Sequence, residues 1–260
     1  MNGISAERAP RVEAEEIPHR YTSLRPAGTP HLGLADSATR MLNEEHSTPP
    51  MAIPGRGVRL AHDPYHVRSE TVRALRTELL LRHDTPELAN ALVLISPGSA
   101  EGRSQLAAEL AVSFAQLGRR TLLVDADLRR PQQHLLFGLP HTDGLMQALA
   151  HGTTPLLNPV KGLSRMFLLS AGGVPSNPLE LLSEGHFAGL VEQWRRDFEF
   201  VVFDTPPLSR CADGLAVATV VGRVLALGRA DHTANRQMRD MFRRLATTQA
   251  QILGAVLNRF

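Results

Sequence analysis

Several short apolar runs in this chain stop at residues able to do chemistry. The first, residues 91–96 (ALVLIS), turns abruptly into SPGSAEGRS, residues 96–104, and a helix-forming segment follows. Such a strand-to-helix turn can bind anionic oxygens, because backbone N–H groups and the helix N-terminus converge there. Ser104 is placed to reach Mg2+, and Arg103 stands in the slot of a phosphate-contacting lysine. The strict pattern GxxxxGK[ST] is not met, since Pro97 holds the first glycine position and Arg103 the lysine position. Taken alone, the stretch fits a ligand-free turn equally well.

The second run, Leu122-Leu123-Val124, delivers Asp125 and Asp127, with Arg129 two residues on. Two carboxylates at this spacing can serve a hydrated Mg2+, or one can act as a base. They also fit a helix cap beside a solvated aspartate. The third run, FVVFDTPP (200–207), delivers Asp204, in the position of an aspartate that holds the metal's water shell. The fourth, GAVLNR (254–259), ends in Asn258, whose amide could read a base edge.

These sites require strands that share one edge. With 91–96, residues 121–124, 166–169, 200–203, 224–227 and 253–257 make up the short apolar runs, and helical segments are expected over 65–82, from 104 to about 118, over 178–195 and over about 233–248. Apolar strands alternating with helices predict an α/β fold with a doubly wound, mostly parallel sheet, whose ligands lie at the carboxyl ends of the strands. Residues 1–60 are rich in Pro, Gly, Ser, Thr, His and charge, without a sustained apolar period. They are expected to form a largely disordered arm, with clusters such as Leu32, Leu34, Met41 and Leu42 available for docking. The folded domain is then 61–260.

Composition narrows the function further. The 260 residues carry a formal charge of +2, too little to argue for nucleic acid or a polybasic membrane anchor. Lys161 is the single lysine, so arginine in the phosphate loop follows the bias of the whole chain. One cysteine, Cys211, excludes an internal disulfide. Eleven histidines show no zinc-ligand spacing. No stretch approaches the roughly 20 apolar residues of a spanning helix, and the N-terminus lacks an apolar signal core. A cytoplasmic protein is expected, held at the inner membrane, if at all, by a partner.

The order of these motifs resembles the bacterial tyrosine-kinase (BY-kinase) family, the cytoplasmic domains of Wzc- and CpsD-type polysaccharide proteins. Leu122 to Arg129 matches that family's Walker A′ motif, Val201 to Pro207 its Walker B strand, and Glu70, Arg73 and Arg76 its ExxRxxR motif. RPQQHLLFGLPHTDGL after Arg129 and PSNPLELLSE at 175–184 are also similar, so the likeness covers about 65–260. It implies a P-loop fold shared with MinD and ParA proteins, with ATP and Mg2+ as cofactors. Nucleotide would contact Ser99, Ala100, Glu101, Gly102, Arg103, Ser104, Gln105 and Asn258, and Mg2+ would lie near Ser104, Asp125 and Asp204. Asp127 would accept the tyrosine proton, and Arg103 would stand in for the lysine on the β/γ-phosphates. Glu70, Arg73 and Arg76 would mediate ring-like self-association; a local salt bridge is the alternative for that helix face.

The chain departs from the family at Ala100 and Arg103, where the usual loop has glycine and lysine. It also lacks a terminal tyrosine cluster, leaving Tyr21 and Tyr65 as candidate phosphoacceptors, the latter more often a packing residue. The leading expectation is an ATP-dependent tyrosine kinase subunit that works with a membrane polysaccharide co-polymerase in exopolysaccharide chain-length control. The alternatives are a non-catalytic oligomerising scaffold of the same fold and a MinD/ParA-like ATPase.

Overall fold

A computed structural model describes residues 49–81, 90–140 and 142–259. Tyr21 and the apolar residues at 32–42 lie outside these described residues.

A seven-stranded sheet forms the body, in the order β3-β4-β2-β5-β1-β6-β7. Its strands are β1 (Ala91–Ile95), β2 (Thr121–Asp125), β3 (Asn158–Val160), β4 (Leu163–Leu169), β5 (Phe200–Asp204), β6 (Arg223–Arg229) and β7 (Gln251–Asn258). All neighbours run parallel except β3, which pairs antiparallel with β4 at the edge. The central strands are buried on both faces, which is why they read as unbroken apolar runs rather than alternating ones. Alternation survives in where the side chains go. Val93, Val124 and Phe203 enter one core layer, while Leu94, Leu123 and Val202 enter the other.

The second layer is covered by α1 (Arg59–His62), α2 (Val67–Leu81) and α3 (Arg103–Gln116), with α4 (Gln133–Leu136) beyond β2. The first is covered by α5 (Leu145–His151), α6 (Pro178–Ser183), α7 (Gly185–Asp197), α8 (Asp213–Val221) and α9 (Asn235–Leu245). Phe187, Trp194 and Phe203 pack together in that first layer. Phe114 of α3 stacks on Phe200 in the second, with ring centroids 3.9 Å apart.

Three expectations change. The helix expected over 178–195 is two helices, broken where Glu184 is extended at φ −75° and ψ 154°. The boundary near residue 60 moves towards the N-terminus. Ala52 bridges to Val160, and Ala52, Val58 and Leu60 are buried, so residues 49–60 belong to the packed body. Tyr65 is not a packing residue, because 91% of it is exposed. No helix among the described residues is long and apolar enough to cross a membrane.

Candidate active site

Strand register places the carboxylates. Asp125 and Asp204 end adjacent parallel strands and are direct register partners, so the fold holds two fully buried carboxylates side by side. Asp125 Oδ2 accepts from the backbone N–H groups of Gln132 and Gln133 at 3.0 and 2.9 Å, and Oδ1 accepts from Asp127 N–H at 3.2 Å. Burial, then the charge of Asp204, pushes the Asp125 carboxyl well above the usual range. Asp127 lies just past the strand. Its Oδ1 is held by the N–H groups of Arg129 and Arg130 at 3.2 and 2.9 Å. Burial raises its pKa; the Arg130 N–H and the Arg103 charge oppose that rise.

Arg103 has turned inward. It is 8% exposed, and its Nε donates to Asp204 Oδ1 at 3.2 Å, its Nη1 to Ser96 Oγ at 2.6 Å and its Nη2 to Asp127 Oδ2 at 3.5 Å. One guanidinium thus pairs with two of the three buried carboxylates, and Asp125 is held by backbone N–H groups instead. Gln133, which sequence reasoning missed, takes the other oxygen of Asp204 at 2.8 Å and also donates to the Ser104 carbonyl at 3.0 Å.

The loop before α3 is tied from outside. Glu101, 2% exposed, accepts from Gly98 N–H at 2.9 Å and from Thr233 Oγ1 at 2.5 Å. Arg229 Nη1 donates to the Ala100 carbonyl at 3.2 Å, and His232 Nε2 lies 3.2 Å from the Ser99 carbonyl. The turn after β5 is laced to the same loop, with Leu208 N–H on Ser96 O and Ser209 N–H on Pro97 O, both at 3.0 Å. Ala100 takes φ 59° and Gly102 φ 85°, both in the left-handed region, so the alanine sits where glycine is favoured.

A cavity of about 460 Å³ opens over this frame, lined by residues 99–105 and by Asp127, with Leu136, Pro206 and Pro207 as apolar wall. Asp125 and Asp204 lie behind Arg103 and do not line it. Asn258, expected beside a base, lies behind the loop instead. Its amide donates to the Glu101 carbonyl at 3.0 Å and accepts from Arg68 at 3.2 Å. Both ends of that amide are used by the protein. Arg129 makes a two-pronged pair with fully buried Asp213 at 2.6 and 3.0 Å, a partner that sequence reasoning also missed.

Among the described residues no group of three or more His, Cys, Asp or Glu side chains could hold a metal by itself. Mg2+ carried on a nucleotide takes one or two carboxylates and completes its shell with phosphates and water. Ser104 lines the cavity, and Asp204 and Asp125 would join it in holding such an ion only with Arg103 withdrawn.

On α2 the ExxRxxR residues separate. Arg73 Nη1 pairs with Glu70 at 2.5 Å and with the Pro64 carbonyl at 2.6 Å. Arg76 turns inward, donating to the Ser113 carbonyl at 2.9 Å. Burial depresses its pKa, and Arg73 adds to the effect.

Comparison with known proteins places this arrangement. Residues 92–260 match the CobQ/CobB/MinD/ParA nucleotide binding domain. The putative tyrosine-protein kinase CapB of Staphylococcus aureus is 32% identical over 201 residues, covering 76% of this chain and 87% of CapB. The tyrosine-protein kinase YwqD of Bacillus subtilis (strain 168) is 34% identical over 207 residues, covering 78% and 86%. The chain belongs to the bacterial tyrosine-kinase family. A Klebsiella pneumoniae relative, a putative tyrosine-protein kinase in the cps region, is 30% identical over 199 residues; the match covers 75% of this chain and 27% of that protein. The kinase domain of Escherichia coli tyrosine kinase ETK superposes with a TM-score of 0.73 at 30% identity, covering 78% of this chain and 79% of that one. MinD from Pyrococcus horikoshii OT3, at 16% identity with a TM-score of 0.56 and 66% and 70% coverage, shares the fold alone. The doubly wound P-loop sheet expected from the sequence is therefore the fold of this family.

Proposed function

We propose that this chain is an ATP- and Mg2+-dependent protein-tyrosine kinase subunit that acts with a membrane polysaccharide co-polymerase in exopolysaccharide export. The supporting observation is Asp127, which lies in one cavity with the phosphate loop and whose two oxygens have different surroundings. Oδ1 is fixed by two backbone N–H groups, while Oδ2 has only the long contact to Arg103. When Arg103 swings out to meet nucleotide phosphate, Oδ2 becomes the oxygen that takes the tyrosine hydroxyl proton. Bound Mg·ATP supplies the phosphoryl group and the charge neutralisation for its transfer. Gln133 and the backbone around Asp125 keep the carboxylates in place meanwhile. Tyr65, at 91% exposure, is the phosphoacceptor the described residues offer, and Tyr21 is the second candidate. Localisation at the inner membrane follows from the partner, and the Klebsiella relative's cps-region name supports the polysaccharide role.

A second reading, a non-catalytic oligomerising scaffold, is favoured by Arg103 itself, since an arginine locked on Asp127 and Asp204 blocks both base and metal. Calorimetric titration with Mg·ADP and Mg·ATP separates the two. The kinase reading expects micromolar binding that Arg103→Ala abolishes, and Mg·ATP-dependent tyrosine phosphorylation that Asp127→Asn and Tyr65→Phe reduce. No binding at millimolar nucleotide, with or without the partner's cytoplasmic tail, leaves the scaffold.

A further inference from the structure

The arginines around the cavity fall into two groups. Arg103 is spent on Asp204, Asp127 and Ser96, Arg129 on Asp213, and Arg229 reaches the Ala100 carbonyl. Arg130 and Arg210 also line the cavity, yet among the described residues neither guanidinium has an ion-pair or hydrogen-bond partner. Their backbones, by contrast, are firmly placed. Arg130 N–H is one of the two donors on Asp127 Oδ1, so its side chain leaves from the residue that fixes the base. Arg210 N–H donates to the Pro207 carbonyl at 3.2 Å, and its turn is held by Arg244, which donates to the Leu208 and Cys211 carbonyls.

Two exposed cations on rigid backbone, with no internal counter-charge, suit an anion that arrives from outside. Of the carboxylates lining the cavity, Glu101 is tied to Gly98 and Thr233, so Asp127 is the one left facing the space. Leu136, Pro206 and Pro207 add an apolar wall to the cavity. We infer that Arg130 and Arg210 form a specificity site for the phosphoacceptor, selecting a tyrosine flanked by acidic residues and bringing its hydroxyl to Asp127. Without these cations an acidic segment would be repelled by the carboxylates behind Arg103; with them that segment is preferred over a basic one. The inference rests on the kinase reading for its tyrosine, but the charge preference stands on the two arginines alone.

The test is fluorescence anisotropy of short labelled peptides bearing one central tyrosine, flanked by glutamates or by lysines, with the full chain, both with and without Mg·ADP. The glutamate-flanked peptide is expected to bind roughly tenfold tighter, with the preference shrinking as salt rises. The Arg130→Ala/Arg210→Ala double variant loses that preference while its calorimetric affinity for Mg·ADP stays within about twofold. The Arg130→Glu/Arg210→Glu variant reverses it, a gain that misfolding cannot imitate. The inference is overturned if the wild type shows no preference or if the alanine double variant keeps it. It is equally overturned if Mg·ADP affinity falls in step with peptide affinity, which would assign the arginines to nucleotide phosphate. Because peptide binding is read without nucleotide, a chain that binds no Mg·ADP but keeps the preference refutes the kinase reading and leaves this one standing.

Discussion

 Ala100 sits at φ 59° in a loop whose shape its neighbours fix: Arg229 holds its own carbonyl, and Glu101 beside it is tied to Gly98 and Thr233. A non-glycine residue in the left-handed region costs about 1–2 kcal/mol, and the loop cannot relax to avoid it. Ala100→Gly is therefore expected to stabilise the ligand-free protein by about 1 kcal/mol, seen as a higher thermal midpoint, and to tighten Mg·ADP binding. An unchanged or lower midpoint would mean the strain is already relieved elsewhere. Asp127 gives the second residue-scale prediction. Its pKa is raised chiefly by burial, so below that raised value Oδ2 keeps a proton and cannot accept one from tyrosine. The acid limb of kcat/KM thus lies above that of an ordinary aspartate, with activity rising as pH climbs through it. The Arg103 charge opposes the shift in the ligand-free protein, so Arg103→Gln raises the Asp127 pKa further there, read by NMR titration of its carboxyl carbon without nucleotide. An unchanged titration in that variant would show that Arg103 does not face Asp127 before nucleotide binds.

At the scale of elements, what was legible depended on how local the cause was. The central strands could be read because burial on both faces leaves an apolar run, and Asp125, Asp127 and Asp204 could be read because each run stops at an acid. α8 could not, because DGLAVATVV is apolar nearly all round, and a helix without a polar face carries no period. β3 is a three-residue edge strand that contains Pro159, which suits an edge but gives no strand signal. Residues 49–60 look like arm by composition, yet Ala52, Val58 and Leu60 are enough to dock them. The hidden part of the site has the same explanation. Gln133 meets Asp204 across 71 positions, and Arg129 meets Asp213 across 84. Such partners are chosen by the wrapping of the sheet, and no local pattern announces them. Asn258 is the converse case, since a strand-end amide looked free to meet a base until the fold placed Arg68 and the Glu101 carbonyl on it.

For the whole molecule, the carboxyl ends of the strands are given to the candidate site, and the outward side of α2 is left bare. Tyr65, just before the helix, is 91% exposed, and Val67 and Leu81 at its two ends are 79% and 76% exposed. Glu70 and Arg73 already satisfy each other there, and an exposed pair of this kind is worth about 0.2–1 kcal/mol. Exchanging it for the same pair between two copies changes little in free energy, so charge would set the register of self-association while apolar contact supplies its strength. Arg76, turned in against Ser113, would hold α2 on α3 rather than reach a neighbour. If this helix carries self-association, light scattering on the purified chain shows a mass that grows with concentration. Val67→Asp, which puts an unpaired charge into the contact, should then return it to a single chain, whereas Glu70→Ala/Arg73→Ala should weaken the assembly only several-fold. A mass fixed at one chain over the whole accessible range, or an assembly indifferent to Val67→Asp, would move the interface off this helix.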